Sequence, residues 1–159
     1  GVIFQMFNLI PYLSVIENVL IPIHFSEVKK NKIIAKGISA KDEAIRLLSE
    51  LGLQEKEIHE KKVNELRVGQ QQRVAAARAL IGSPEMILAD EPTSALDENN
   101  SMRFLDLLLE ECKKNNSTLL YVSHDSRIHH KFQQSISIHD FTENMPIAEK
   151  KGKEAVVCS

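Results

Sequence analysis

The sequence predicts an α/β fold in which a parallel sheet core stands beside a section made of helices. Three observations carry that prediction. Met86-Ile87-Leu88-Ala89 and Thr118-Leu119-Leu120-Tyr121-Val122 are short, unbroken apolar runs, the pattern of strands buried on both faces. Between them, Met102, Leu105, Leu108 and Leu109 recur at helical spacing, and strand, helix, strand gives a parallel βαβ unit. Ahead of this unit, the stretch between residues 14 and 81 reads as helix and linker, so two subdomains of unequal character fit better than one uniform fold.

Taken in order, residues 1–4 form a buried strand that breaks at the polar Gln5. Ser14 and Glu17 fit a reciprocal cap, in which Ser14 accepts from the third backbone N–H and Glu17 reaches back, opening a helix to about residue 27. Residues 29–37 are basic and weakly patterned and read as a solvated linker. A second helix starts near Ser39 or Ala40, carries Ala44, Ile45, Leu47, Leu48 and Leu51 on one face, and stops at Gly52 with Leu53 in contact. The alanine-rich stretch 70–81 predicts a third helix, ended by Gly82-Ser83-Pro84. A helix over 99–113 joins the two apolar strands, and residues 134–138 suggest one more strand. From Phe141 onward the chain reads as a polar, frayed tail, and there is no internal repeat or heptad run.

Composition narrows the classes. At 159 residues the chain holds one domain with a real core, and a net charge of -2 gives no bulk electrostatic reason to bind nucleic acid or an anionic membrane. Cys112 and Cys158 lack metal-ligand spacing and read as reduced thiols of a cytosolic protein. No apolar run approaches the roughly 18 residues that span a bilayer, and no signal peptide opens the chain, so work at a membrane would need a partner to hold it there. Gly1 leads straight into an apolar run, and the expectation is that upstream sequence is missing.

The chemistry concentrates at Asp90 and Glu91. Four apolar residues followed by two carboxylates place both acids at the carboxyl end of a buried strand, the edge where open α/β sheets bind ligands. Taken alone, a pair of surface acids is as good a reading. Ser123-His124-Asp125 closes the next apolar strand, however, which brings His124 to the same edge one strand over. His59, His129, His130 and His139 have no such convergence and read as packed or surface residues.

Five segments then fall in one order: Phe4-Gln5, Leu66 to Arg73, Ile87 to Pro92, Ser94 to Asp97, and Ser123-His124-Asp125. This series resembles the Q-loop, signature, Walker B, D-loop and H-loop of the ABC ATPases, over about residues 1–140. The stretches 4–11 and 14–19 are most similar to motor subunits of the lipoprotein-release and macrolide-export type. The resemblance implies part of a P-loop NTPase (RecA-like) core with an inserted α-helical subdomain. Residues 1–8 would end a core strand and form the Q-loop, 9–82 the helical subdomain with the signature, 83–140 the core, and 141–159 the tail. It implies ATP and Mg²⁺ as cofactors, with Asp90 on the metal through water and Glu91 polarising the attacking water. His124 would contact the γ-phosphate or that water, and Gln5 would sense both metal and γ-phosphate. Arg67, Val68, Gly69 and Gln70, with Ser94 and Asp97, would meet the nucleotide held by a second ATPase subunit in a head-to-tail dimer. A turn ending at Gly69 would open the helix from Gln70, whose N-terminus favours an anion, while Gln71 and Gln72 read as a solvated face. Membrane-spanning permease subunits would dock on the helical subdomain, placing the protein peripherally on the cytoplasmic face of the plasma (inner) membrane, with no nucleic acid partner.

Two departures qualify the resemblance. No G-x-x-x-x-G-K-[ST] occurs in the chain, so the backbone cradle and lysine that hold ATP are not in these residues, and the chain alone is expected to be inactive. The signature, usually L-S-G-G-Q, reads Leu66-Arg67-Val68-Gly69-Gln70, which replaces a small hydroxyl with a long cation and a glycine with a β-branched side chain. The half-site is therefore expected to be weakened or regulatory. Beside the ATPase reading stands a non-hydrolysing regulatory or interaction module, against which Glu91 and His124 argue. A chromosome-maintenance or repair ATPase is disfavoured because the chain has no long coiled coil between its motifs.

Overall fold

In the computed structural model, residues 1–137 are described throughout and residues 154–158 as backbone. Strand β1, Val2–Ile3, leads into a turn in which Phe7 and Asn8 take left-handed backbone angles (φ 60 and 48°). Helix α1, Val15–His24, opens with the anticipated cap: Glu17 N donates to Ser14 Oγ at 3.2 Å and Ser14 N to Glu17 Oε2 at 2.7 Å. It ends at Phe25, short of residue 27, because Ser26 begins another helix by accepting from Lys29 N at 3.3 Å. The predicted linker 29–37 is thus largely helix α2, Glu27–Ala35. Its pattern is weak because Ile33 alone of its residues is buried, so a single apolar anchor sets its orientation.

Helix α3, Ala40–Glu50, is capped by Ser39 and stops as expected. Gly52 turns left-handed at φ 83°, and Leu53 N donates back to the Leu48 carbonyl at 2.8 Å. A short helix α4, Lys56–His59, and a 3₁₀ turn at Val63–Glu65 lead to α5, Val68–Leu80. Strand β2, Met86–Asp90, helix α6, Glu98–Lys114, and strand β3, Thr118–Ser123, form the predicted βαβ unit. Strand β4, Gln134–Ser137, matches the expected strand up to Ile138, which lies outside the described residues.

The described strands lie in the order β1-β2-β3-β5-β4, where β5 is Glu154–Cys158. β1, β2 and β3 are parallel, and β5 is antiparallel to both its neighbours. The reading of everything after residue 140 as frayed tail is therefore corrected over 154–158. Ala155-Val156-Val157-Cys158 follows a lysine-rich stretch, but its β-branched pair suits a strand. The rest of that segment lies outside the described residues.

One continuous core joins the two parts of the fold. Leu47 and Leu48 of α3, Leu108 of α6, and Leu119 of β3 have no exposed surface, each contributing about 1.5–3 kcal/mol of burial. Ala75, Ala76 and Ala77 of α5 are also wholly buried. Their small side chains let α5 lie close to α1, α3, α6 and β1, so this one helix touches both the helical layer and the sheet.

Candidate active site

Because β2 and β3 are parallel with Asp90 level with Val122, the residues following each strand leave the sheet at one edge. Asp90, Glu91, His124 and Asp125 are therefore neighbours by topology. Glu91 N continues the ladder by donating to the Val122 carbonyl at 2.9 Å, and its backbone is left-handed at φ 41°. Its carboxylate, only 11% exposed, approaches Nδ1 of the 66% exposed His124 ring at 3.4 Å. A small cavity of about 160 Å³ opens here, lined among others by Glu91, Ser94, Leu96, His124 and Arg127. β1 is parallel to β2 with Ile3 level with Ala89, so Gln5, exposed, follows at the same edge.

The surrounding turns are tied to the sheet. Thr93 Oγ1 lies 2.9 Å from the Tyr121 hydroxyl, and burial pushes that phenol up to about 12. Asp125 accepts from Arg127 Nε and Nη2 at 2.8 and 2.9 Å, and the guanidinium holds the carboxyl below its ordinary value. Arg127 also reaches Glu98 at 2.6 Å, which joins the loop after β3 to the first turn of α6. Asp97 caps α6, accepting from Asn100 N at 3.0 Å and from Asn100 Nδ2 at 2.6 Å; the backbone hydrogen bond lowers its pKa. Ser94 is exposed in the intervening turn.

The signature residues sit elsewhere. α5 begins at Val68, two residues ahead of the expected Gln70, so Gly69 is inside its first turn rather than ending the turn before it. The N-cap is Arg67, whose N–H donates to Gln70 Oε1 at 3.0 Å. Its guanidinium has only donors and supplies no acceptor to the helix N-terminus. Val68 is 47% exposed. A wider cleft of about 470 Å³ takes in Arg67, Gly69, Gln70, Arg73, Leu96 and Asn100. Of the residues lining the two cavities, Leu96 is common to both, so the 94–97 turn divides the carboxylate rim from the signature.

Two functional candidates escaped the sequence reading. Gln72, expected on a solvated face, is wholly buried, and its Nε2 donates to the Pro92 carbonyl at 2.7 Å. Gln71, read the same way, is partly buried and donates to the Leu66 carbonyl at 3.0 Å. The signal was present: Gln72 shares the i, i+3, i+4, i+7 stripe of Ala75, Ala76 and Ala79, all buried. Arg78 donates to the carbonyls of Phe7 and Asn8 at 2.5 and 2.6 Å, gripping the left-handed turn after Gln5.

For a metal, the donor set at the rim is an acidic pair; among the described residues no three His, Cys, Asp or Glu side chains converge. Such a pair suits Mg²⁺, which is usually held by one or two carboxylates together with substrate phosphates. Among the described residues no helix is long and apolar enough to cross a membrane.

The ABC transporter family profile matches residues 1–94. The lipoprotein-releasing system ATP-binding protein LolD of Legionella pneumophila (strain Paris) is 36% identical over 143 residues, covering 88% of this chain and 58% of LolD. The macrolide export ATP-binding/permease protein MacB of Hyphomonas neptunium is 40% identical over 140 residues, covering 88% of this chain and 20% of MacB. The dimeric post-hydrolysis structure of the ATP-binding cassette MJ0796, bound to ADP and Pi, superposes with a TM-score of 0.57 at 32% identity, over 76% of this chain and 57% of that one. The chain thus spans little more than half the length of LolD. By the family match over residues 1–94 and the likeness of its parallel sheet to that cassette, the chain belongs to the ABC transporter family, with the P-loop NTPase fold of its ATP-binding cassettes.

Proposed function

We propose that these residues are the catalytic and signature-bearing portion of an ATP-hydrolysing motor subunit of a lipoprotein-release or macrolide-export type transporter. The observation that carries the reading is the approach of His124 to Glu91 at 3.4 Å across the ends of two parallel strands. Bound Mg²⁺ would neutralise phosphate charge as the γ-phosphoryl group leaves. Asp90 would hold that ion through water. Glu91, its carboxylate mostly buried, would orient and deprotonate the attacking water. His124 would hold the far side of the γ-phosphate or the water, and Gln5 would register their presence. Arg67, Val68, Gly69 and Gln70, with Ser94 and Asp97, would meet the nucleotide of a second subunit. Permease subunits would dock on the helical layer, which places the motor peripherally at the cytoplasmic face of the inner membrane.

No phosphate-cradling G-x-x-x-x-G-K-[ST] is among the 159 residues, so the chain alone is expected not to turn over ATP. The test joins the chain behind the part of Legionella LolD that precedes the matched region. MgATP hydrolysis and nucleotide affinity are then measured. The fusion should hydrolyse MgATP, and Glu91→Gln should lower turnover by about 10²-fold or more while MgATP still binds. A fusion that binds MgATP yet loses nothing on Glu91→Gln would end the reading of Glu91 as base. If it binds MgATP and never hydrolyses it, the non-hydrolysing module takes over.

A further inference from the structure

We propose that Gln72 is a positioning residue for Glu91: its buried amide donates to the carbonyl of Pro92 and so holds the turn that keeps Glu91 against His124. The proposal rests on the reading of Glu91 as the group that orients water. At φ 41° Glu91 sits in a backbone region that a residue with a Cβ keeps only when its surroundings impose it. Hydrogen bonds around the turn support it, three of them from neighbouring elements next to Glu91 and Thr93. Two come from β3 within the sheet: Val122 O with Glu91 N at 2.9 Å, and the Tyr121 hydroxyl with Thr93 Oγ1 at 2.9 Å. The third, Gln72 Nε2 to Pro92 O at 2.7 Å, comes from α5. It reaches the residue directly after Glu91 from the helix whose first turn carries Gly69 and Gln70.

Packing gives no reason for an amide at this position. Gln72 has no exposed surface, and its Oε1 is buried without a hydrogen-bond partner. An orphaned buried oxygen is unfavourable, and a methionine of similar length would fill the space without one. What the amide supplies beyond methionine is the bond to Pro92. A displacement of the α5 N-terminus is thereby transmitted to the turn bearing Glu91 through a buried contact, with no flexible loop between them.

The experiment is nuclear magnetic resonance on the 159-residue chain, and it needs no nucleotide. In the wild-type chain the Gln72 side-chain amide protons should exchange roughly 100-fold more slowly than those of exposed Gln5, with a scalar coupling through the hydrogen bond to the Pro92 carbonyl carbon. In Gln72→Met the backbone amides of Glu91, Thr93 and Ser94 should exchange about 10-fold faster, and the Glu91 Cα shift should leave its left-handed value. Helices α1 and α3 should keep their wild-type exchange. Leu48→Ala, which loosens the core elsewhere, is the control for a general loss of stability. Unchanged exchange at Glu91, Thr93 and Ser94 in Gln72→Met overturns the proposal, as does equal loosening there in Leu48→Ala. Should Gln72→Met not fold, the wild-type amide decides alone: exchange as fast as Gln5 overturns the proposal. The Glu91→Gln hydrolysis test fails or succeeds separately from these readings.

Discussion

Arg67 occupies a position that most residues of its length and charge would leave to a smaller neighbour. As N-cap of α5 it should offer an oxygen to the first N–H groups, yet a guanidinium offers only hydrogens, and its positive charge faces the positive end of the helix. Arg67→Ser is therefore expected to stabilise the chain by about 1 kcal/mol in urea or guanidinium unfolding, with an unchanged denaturant slope. In the LolD fusion, Arg67→Ser with Val68→Gly should raise MgATP turnover, because a hydroxyl and a bare backbone would then face phosphate. Equal turnover would count against a weakened half-site. At this scale the sequence was informative where chemistry and position coincide. Asp90, Glu91 and His124 were legible because each follows an apolar run, and the sheet then brings the runs into register. Gln72 and Arg78 were not, since a glutamine or arginine in an alanine-rich helix looks solvated until its stripe is matched to what it packs on.

At the scale of elements, caps and stops were the most legible features, being short-range hydrogen-bond arithmetic: Ser14, Ser39 and Gly52 each do what their neighbours imply. Helix α2 was missed because its orientation depends on one buried side chain, and β5 because its partners β3 and β4 come from earlier in the chain. Also invisible beforehand was a link between α3 and α6. Glu43 and Glu111 are each 1% exposed, and Arg46 joins them, with Nε 2.8 Å from Glu43 and Nη1 3.1 Å from Glu111. Burial pushes the Glu43 carboxyl up, but the hydrogen bond and charge of Arg46, helped by Lys36, outweigh it and leave the group below its ordinary value of 4.5. A carboxyl depressed in the folded state contributes stability that is present above pH 4.5 and lost as pH falls through the folded-state value. Glu43→Gln should accordingly cost about 2 kcal/mol at pH 7 and flatten the fall in Tm between neutral and acid pH. Thermal melts of both chains across that range check it; parallel profiles would show that Glu43 carries none of the acid sensitivity.

In the folded chain the signature and the rim of Glu91 and His124 line two cavities, with Leu96 of the 94–97 turn lining both. If, as proposed above, the signature meets the nucleotide of another copy, a two-fold pair builds two composite sites. That arrangement makes a prediction that no single-chain site shares. In the LolD fusion, Glu91→Gln removes the base, and Gly69→Asp sets a carboxylate in the first turn of α5, where it repels phosphate. Each variant alone should be nearly inactive. Mixed in equal amounts, half the pairs are heterodimers, and in each of these one site carries both lesions while the other carries neither. Turnover should then recover to about a quarter of wild type if the two sites fire independently. Were signature and acid to act on one nucleotide within one chain, every site in the mixture would keep a lesion and activity would stay at the level of the separate variants.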